Sequence, residues 1–220
     1  NEYHVVAEKF GGMTIDLELN ADYHINPCDL SMERRAPRST PLATKCDYMV
    51  GLVESILGKG KECTVLEQNA IHRACNRMYE PYIAEMKRRH EQGCEAGQSD
   101  ELDTEICPTL VDFYEELMSE ASMESNKVAM IIEQYAVGNY NLFAHHTNIK
   151  TNNRLTVFNL LYLPEKMTEM AMKVCLSTIW TRIVKNREEN EKNHTGKSIW
   201  VYMDEFHHFF KTESSATTIM

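Results

Sequence analysis

The chain has 220 residues, of which 43% are hydrophobic and 25% are charged, with a formal net charge of -10. These proportions exclude extensive disorder, and the length allows one domain with an insertion or two small domains. Because a surface that binds nucleic-acid phosphates needs clustered Lys and Arg, the acidic balance argues against strong direct nucleic-acid binding. No apolar run approaches the roughly 20 residues that cross a bilayer.

Seven cysteines are scattered along the chain without a C-x-x-C pair, which argues against a zinc site or a redox motif. An odd number without framework spacing is typical of free thiols in a reducing compartment. We therefore interpret all seven as structural: Cys28, Cys46, Cys63, Cys75, Cys94, Cys107 and Cys175.

Residues 1–38 are predicted to form the first part of an α/β domain. Residues 13–19 alternate apolar and polar side chains after the Gly11–Gly12 turn, as a half-buried strand does. Asn26–Pro27 indicates a turn, and the charged segment 32–38 is interpreted as a linker.

Residues 39–137 are predicted to be an all-α helical insertion. Thr40–Pro41 supplies an N-cap and a first helical residue, and Gly58–Gly60 ends that helix. Thr64–Glu67 is a capping box at the start of the second helix, which Pro81 is expected to bend or end. After an acidic loop at 91–105, the sequence predicts two more helices.

The third and fourth helices of the insertion have their own end signals. Thr109–Asp112 caps the third helix behind Pro108, and the fourth ends at Gly138, a residue suited to a left-handed conformation. Short amphipathic helices gain most of their stability by packing together, so we expect a compact bundle.

Residues 138–220 are predicted to return to the α/β domain. A β-rich segment at 155–158 is followed by a helix from Pro164 to about Val184, a polar stretch at 185–197, and an apolar segment at 199–203. Strand, helix and strand at this spacing predict a βαβ unit with parallel strands. Because residues 199–203 are apolar at every position, we expect a central strand that is covered on both faces.

Asp204 and Glu205 directly follow this last predicted strand. Open α/β sheets bind ligands at the carboxyl ends of their strands. In P-loop ATPases the Walker B arrangement places an Asp there to support the Mg²⁺ that bridges the terminal phosphates. The sequence therefore predicts Asp204 as the Mg²⁺ and cofactor-binding residue, and Glu205 as the catalytic residue that polarises the attacking water.

Other motifs are weaker. Thr195–Ser198 resembles the end of a Walker A loop, but Glu191 stands where its first Gly belongs and the segment precedes a strand instead of opening a helix. Two Glu-x-x-His spacings, 191–194 and 205–208, match di-iron ligands but lie outside long inward-facing helices. His145–His146 has no carboxylate nearby in sequence, and the Met-rich stretch Met167, Met170 and Met172 is typical of adaptable core.

Several short phrases in one order span nearly the whole chain and resemble the type IV secretion, or conjugative-transfer, ATPase family of the VirB/TraE/TraC kind. The phrases are Asn1–Tyr3, Gly11–Gly12, Ile25–Pro27, Thr64–Glu67, Pro108–Leu110, Tyr135–Gly138, Thr156–Phe158 and Asp204–Glu205. Asn159 departs from the resemblance, because it stands where we expect an Asp.

The resemblance implies a partial RecA-like P-loop NTPase domain with parallel strands, interrupted by the helical insertion. It implies the Mg²⁺ role for Asp204 and the catalytic-base role for Glu205, with Mg²⁺ and ATP as cofactors of a longer parent protein. That parent would be a cytoplasmic homo-hexameric motor, held at the inner face of the membrane through other secretion components.

The chain contains no complete Walker A motif, so we expect it to be an inactive fragment with the phosphate-binding loop upstream. Two alternatives stay open. One is a non-enzymatic assembly or docking module of a secretion complex. The other is a generic P-loop DNA motor of the helicase or packaging type.

Overall fold

The α/β part of the protein contains two strands paired in parallel. The computed structural model describes residues 2–30, 40–58, 60–91, 104–149 and 153–204. Helix α1 (Glu2–Lys9) precedes strand β1 (Met13–Asp16), which pairs with strand β2 (Thr156–Asn159). The predicted strands at 13–19 and 155–158 are thus confirmed over residues 13–16 and 156–158. Helix α1 was not among the predicted elements.

A glycine turn reverses the chain between α1 and β1. Gly11 has a φ of 63°, which is the left-handed region that favours glycine. The Gly12 amide donates to the Ala7 carbonyl at 2.7 Å, and a Cβ at this position would lie 2.6 Å from the Leu155 carbonyl oxygen. The turn therefore packs directly against the start of β2, and α1 contacts both strands.

Four helices form the predicted bundle between the two strands. They are α2 (Pro41–Leu57), α3 (Val65–Glu91), α4 (Leu110–Ser119) and α5 (Met123–Ala136). Helix α3 contacts α2, α4 and α5, so it is the central member of the bundle. The fold class is therefore the predicted one, a parallel α/β element interrupted by an all-α region.

The predicted helix starts have the expected capping bonds. The Thr40 hydroxyl accepts from the Ala43 amide at 3.2 Å. At the start of α3, the Thr64 amide donates to the Glu67 carboxylate at 2.7 Å, and the Glu67 amide donates back to the Thr64 hydroxyl at 3.3 Å. Thr109 and Asp112 form the same reciprocal box at the start of α4. Each box satisfies backbone N–H groups that have no partner within the helix.

Of the two predicted outcomes at Pro81, a bend or a helix end, the helix end is wrong. Helix α3 runs through Pro81 to Glu91. Tyr79 and Tyr82 are both buried, so core packing on each side of the proline outweighs the one backbone hydrogen bond that proline cannot donate.

The prediction that Gly138 adopts a left-handed conformation is also wrong, since its φ is not among the positive values. Val137 ends α5 instead, with its amide donating to the Glu133 carbonyl. A Cβ at Gly138 would lie 2.7 Å from the Gln134 Cα. Glycine is needed here because the chain passes close to the helix.

The last helix is longer than predicted. Helix α6 spans Glu165–Asn193 and contacts α2. Its buried residues include Met167 and Met170, so two of the three predicted methionines contribute to the core. The polar residues after Val184 continue this helix. Lys, Arg and Glu have high helix propensity, and Arg187 pairs with Glu191 one turn later at 3.1 Å.

A buried polar turn at residues 26–29, the Asn26–Asp29 turn, joins the α/β part to the bundle. Asn26 is 3% exposed; its side-chain amide donates to the Pro108 carbonyl at 2.8 Å, and its side-chain oxygen accepts from the Cys28 amide at 2.9 Å. The Asn26 backbone amide donates to the Thr147 hydroxyl at 2.7 Å. All three groups of this buried residue therefore have a hydrogen-bond partner.

The carbonyls of the same turn accept from two bundle helices. The Lys45 ammonium of α2 donates to the Pro27 carbonyl at 2.8 Å, and the Tyr79 hydroxyl of α3 donates to the Cys28 carbonyl. The Thr147 hydroxyl donates to the Asp29 carboxylate. Burial raises the pKa of Asp29, while Thr147 and Lys45 act in the opposite direction.

Six cysteines are free and buried, as expected for structural thiols, whereas Cys94 lies outside the described residues. Burial raises the pKa of Cys63 to about 11 and that of Cys175 to about 12. Within the described ranges, no helix is long and apolar enough to cross a membrane.

The Asn26–Asp29 turn predicts a large effect of Asn26→Ala. The substitution leaves the Pro108 carbonyl and the Cys28 amide without these partners in a buried site, so the free energy of unfolding should fall by about 3 kcal/mol. Urea denaturation measures the change. The control is Asn69→Ala on the exposed side of α3, which should change it by less than about 0.5 kcal/mol. Equal effects of the two substitutions would contradict the role given to the turn.

The α3 capping box predicts an acid-dependent loss of stability. The Lys127 ammonium, followed by the Thr64 amide, lowers the pKa of Glu67 from its ordinary value of 4.5. A lowered pKa means that Glu67 stabilises the fold above pH 4.5 and loses this contribution as the pH falls below it. Glu67→Gln should cost about 1 kcal/mol at neutral pH and flatten the acid limb of stability against pH. Unchanged pH dependence, compared with the exposed control Glu62→Gln, would contradict this.

Candidate functional site

The carboxyl ends of β1 and β2 carry a hydrogen-bonded pair of polar side chains. Asp16 and Asn159 are partners in the parallel register, and the Asn159 amide donates to the Asp16 carboxylate at 2.6 Å. The Leu17 amide continues the ladder to the Asn159 carbonyl at 2.9 Å. Carboxyl ends of parallel strands are where open α/β sheets bind ligands, so this edge is the candidate ligand-facing side of the protein.

Asn159 therefore has a definite role at the position where an Asp was expected. Its side-chain oxygen also accepts from the Leu161 amide at 3.3 Å. An aspartate here would place two carboxylates against each other. The amide instead converts a repulsive contact into a hydrogen bond with Asp16.

Helix α1 contacts both strands of the sheet. Tyr3 lies in the first turn of this helix, and its side chain is exposed.

The predicted metal residue Asp204 lies next to the start of α1. The Tyr3 hydroxyl donates to the Asp204 carboxylate at 2.9 Å across nearly the whole length of the chain. Asp204 is exposed. Glu205, the predicted catalytic residue, and the second Glu-x-x-His spacing at 205–208 lie outside the described residues.

The prediction of a buried central strand at 199–203 is wrong for this structure. The segment has no strand assignment, and the exposed fractions of Trp200 and Tyr202 are 92% and 83%. The parallel partner of β2 is β1, so the predicted βαβ unit around α6 is not formed. A strand needs the N–H and C=O groups of a neighbour, and in the described part of the chain the sheet has two strands, neither paired with this segment.

Residues 195–198 close the end of α6 and do not form a phosphate loop. His194 ends the helix in the left-handed conformation with a φ of 52°. The Asn190 side chain accepts from the Thr195 hydroxyl at 2.7 Å and from the Lys197 amide at 3.2 Å. A Walker A loop must open a helix, whereas this segment follows one.

The histidines form a small ring contact. The ring centroids of His24 and His145 are 4.4 Å apart. Burial, with smaller contributions from His24 and His146, lowers the pKa of His145. A carboxylate does lie within electrostatic reach of His146, namely Asp29. It was missed because it is distant in sequence. No cluster of three or more metal-ligand side chains occurs among residues with described positions.

The structure thus brings Asp16 and Asn159 together at one edge and Tyr3 against Asp204. Of these, only Asp204 was predicted as a site residue. The alternation of apolar and polar side chains predicts β1, and the β-rich composition predicts β2. The pairing of Asp16 with Asn159, however, joins residues on opposite sides of the helical region. No local signal could have found it.

Comparison with known proteins identifies a shared fold. The chain matches the structure of VirB4 of Thermoanaerobacter pseudethanolicus with a TM-score of 0.65 and 18% sequence identity, over 85% of this chain and 68% of that one. No protein-family model matches the chain, and no curated protein matches it. Because the helical region is nearly half of the chain, the matched 85% includes most of that region as well as the α/β part.

The Asp16–Asn159 pair predicts a pH-sensitive effect of Asn159→Asp. The substitution places two carboxylates in contact, so the free energy of unfolding at pH 7 should fall by about 2 kcal/mol. Stability should recover toward pH 4, because a protonated carboxyl again donates a hydrogen bond. Chemical denaturation at both pH values measures the difference. Asn159→Ala serves as control: it removes the bond without repulsion, and its loss should not recover in acid. Identical pH profiles for the two variants would contradict the prediction.

Proposed function

We propose that this chain is part of an ATP-hydrolysing motor that powers type IV secretion or conjugative DNA transfer. The observation that carries the proposal is the fold shared with VirB4, which extends through both the α/β part and the helical region. The sequence phrases that resemble the VirB/TraE/TraC kind of ATPase support the same conclusion independently. A generic helicase or packaging motor is less well supported, since the helical region is part of the shared fold.

The chain's residues fit the metal end of a nucleotide site better than its phosphate end. Asp204 is an exposed carboxylate held by the Tyr3 hydroxyl on one oxygen, and Mg²⁺ needs few protein carboxylates because it keeps several waters. The sequence contains no G-x-x-x-x-G-K-[ST] loop to surround the phosphates. Asp204 would thus hold Mg²⁺–ATP only together with a Walker A loop upstream of this chain.

Each residue then has a distinct task. Bound Mg²⁺ neutralises charge on the terminal phosphates. Tyr3 would orient the Asp204 carboxylate through its hydroxyl. Glu205 would accept a proton from the attacking water, as the adjacent acid does in Walker B sites. Without the phosphate loop, two carboxylates repel a triphosphate, so the chain by itself is proposed to be inactive.

The apolar segment before Asp204 is exposed in this chain. Ile199, Val201 and Met203 are 36–41% exposed, and Trp200 and Tyr202 much more. Burying such side chains stabilises a protein by about 25 cal/mol per Å². We propose that another part of the motor covers this segment.

The parent is proposed to act as a homo-hexameric ring in the cytoplasm, at the inner face of the membrane. Contact with the membrane would come through other secretion components. The net charge of -10 argues against strong DNA binding by this part itself. The helical region is then available for contacts with partners, which is the element that the docking-module alternative shares with this proposal.

The test uses a version extended upstream to include the Walker A loop. It should bind and hydrolyse ATP, whereas the 220-residue chain should do neither. In the extended protein, Glu205→Gln should reduce hydrolysis by at least about 100-fold and spare binding, because it removes only the proton acceptor. Asp204→Asn should abolish hydrolysis and weaken the Mg²⁺ dependence of binding. Fluorescent-nucleotide titration and phosphate release measure the two properties.

The matched control is Glu62→Gln, which changes an exposed acid in the loop before α3 and should leave both properties unchanged. An extended protein that binds no ATP would overturn the motor proposal and favour a docking module. Full activity in Glu205→Gln would overturn the assigned role of that residue alone.

A further inference from the structure

Helix α5 presents an exposed apolar row on the outside of the bundle. The exposed fractions of Met123, Met130 and Val137 are 78%, 74% and 52%. These residues recur every seven positions, so Met123 and Met130 lie on one face of the helix, and Val137 follows at its C-terminal end. An open groove of about 850 Å³ runs beside the row and is lined in part by Met123, Lys127 and Met130. Such a row in a highly charged chain marks an interaction surface.

The polar residues between the apolar ones are also exposed. Asn126 and Lys127 lie on the N-terminal side of Met130, and Glu133 and Gln134 lie on its C-terminal side. Asn126 and Gln134 lie four positions from Met130 in opposite directions, and Lys127 and Glu133 lie three positions from it. We call the seven exposed positions the α5 face: Met123, Asn126, Lys127, Met130, Glu133, Gln134 and Val137.

The α5 face is chemically self-complementary when two copies of the helix are placed antiparallel. Centred on Met130, position 127 meets position 133, which pairs a lysine with a glutamate. Position 126 meets position 134, which pairs two side-chain amides. At the ends, Met123 meets Val137. The equal spacing follows from helix geometry, but the matching of charge, amide and apolar groups is a property of this sequence.

We infer that the α5 face binds a second copy of this chain, with the two α5 helices antiparallel and a twofold axis at Met130. An isologous interface requires that residue i meets j and j meets i, and each contact therefore occurs twice. The interface would contain two Lys127–Glu133 ion pairs, two Asn126–Gln134 amide pairs and a central Met130 pair. This inference does not rest on the proposed ATPase function.

The contacts within one chain leave this pairing available. The Lys127 ammonium already pairs with Glu67, a nearly buried carboxylate at the start of α3. An ammonium has three donors, so Lys127 can serve both Glu67 and a partner's Glu133. The Glu67 contact also holds the Lys127 side chain at the face, which reduces the entropy lost on association.

Two further exposed apolar residues enlarge the surface. Val65 and Leu66, beside Glu67 at the start of α3, are 70% and 61% exposed. One helix pair alone buries a small area, and small interfaces associate weakly. The dimer should therefore form at high protein concentration and dissociate on dilution.

Sedimentation velocity and equilibrium of the 220-residue chain, up to about 100 μM, test the inference, since weak interfaces need such concentrations. The expected result is a reversible change from the 25.5 kDa monomer to a particle of twice that mass. Met130→Glu places two carboxylates at the axis and should abolish the change. Met118→Glu, at an exposed methionine on α4 outside the face, is the matched control and should leave it intact.

Charge exchange identifies the partner surface. Lys127→Glu and Glu133→Lys should each weaken the dimer by at least about tenfold, because each creates two like-charge contacts. The double variant restores opposite charges and should recover most of the affinity. Since Lys127→Glu also affects the Glu67 contact, Glu133→Lys is the cleaner single variant, and circular dichroism and thermal unfolding confirm that each variant is folded.

Several outcomes would overturn the inference. If the chain stays monomeric at the highest concentration, the α5 face does not bind a second copy of this chain. A dimer that survives Met130→Glu uses another surface. If the double variant dimerises no more tightly than the weaker of the two single variants, Lys127 and Glu133 do not meet across the interface.

Discussion

The Asn26–Asp29 turn is the contact on which the arrangement of the whole protein depends. Its backbone and side-chain groups are largely buried, and their hydrogen-bond partners come from α2, α3, the segment before α4 and the segment after α5. A buried polar group without a hydrogen-bond partner lowers the free energy of unfolding by about 1–3 kcal/mol, so the loss of any one of these partners would destabilise the fold. The turn thus makes the α/β part and the helical bundle a single unit, consistent with one continuous hydrophobic core.

The candidate site has the opposite character, because Asp16 and Asn159 are only partly buried and Tyr3 and Asp204 are exposed. The Asn159 amide donates to the Asp16 carboxylate at the ends of two parallel strands, and the Tyr3 hydroxyl donates to the Asp204 carboxylate. Segment 199–203 stays outside the sheet with its aromatic side chains in solvent. The α/β part and the helical region that carry these groups share their fold with VirB4 of Thermoanaerobacter pseudethanolicus.

The bundle and the α/β part also differ in how readily the sequence predicts them. Helix caps are local, because a Thr at the N-cap and an acid three residues later satisfy backbone groups within one turn. Both capping boxes and the Thr40 cap formed where they were predicted. Strand pairing is not local: β1 and β2 are joined across the entire helical region. For the same reason Asp204 could be named as a candidate, whereas its contact with Tyr3 could not.

The sequence by itself determined the strand–helices–strand order and the capped starts of α2, α3 and α4, because each depends on groups a few residues apart. Tertiary structure alone decided that α3 continues through Pro81, that Gly138 serves close packing, and that β2 pairs with β1 instead of residues 199–203. In each case, groups distant in sequence compete for the same contact. Their relative free energies depend on which surfaces the folded chain brings together, and local residue pattern does not contain that information.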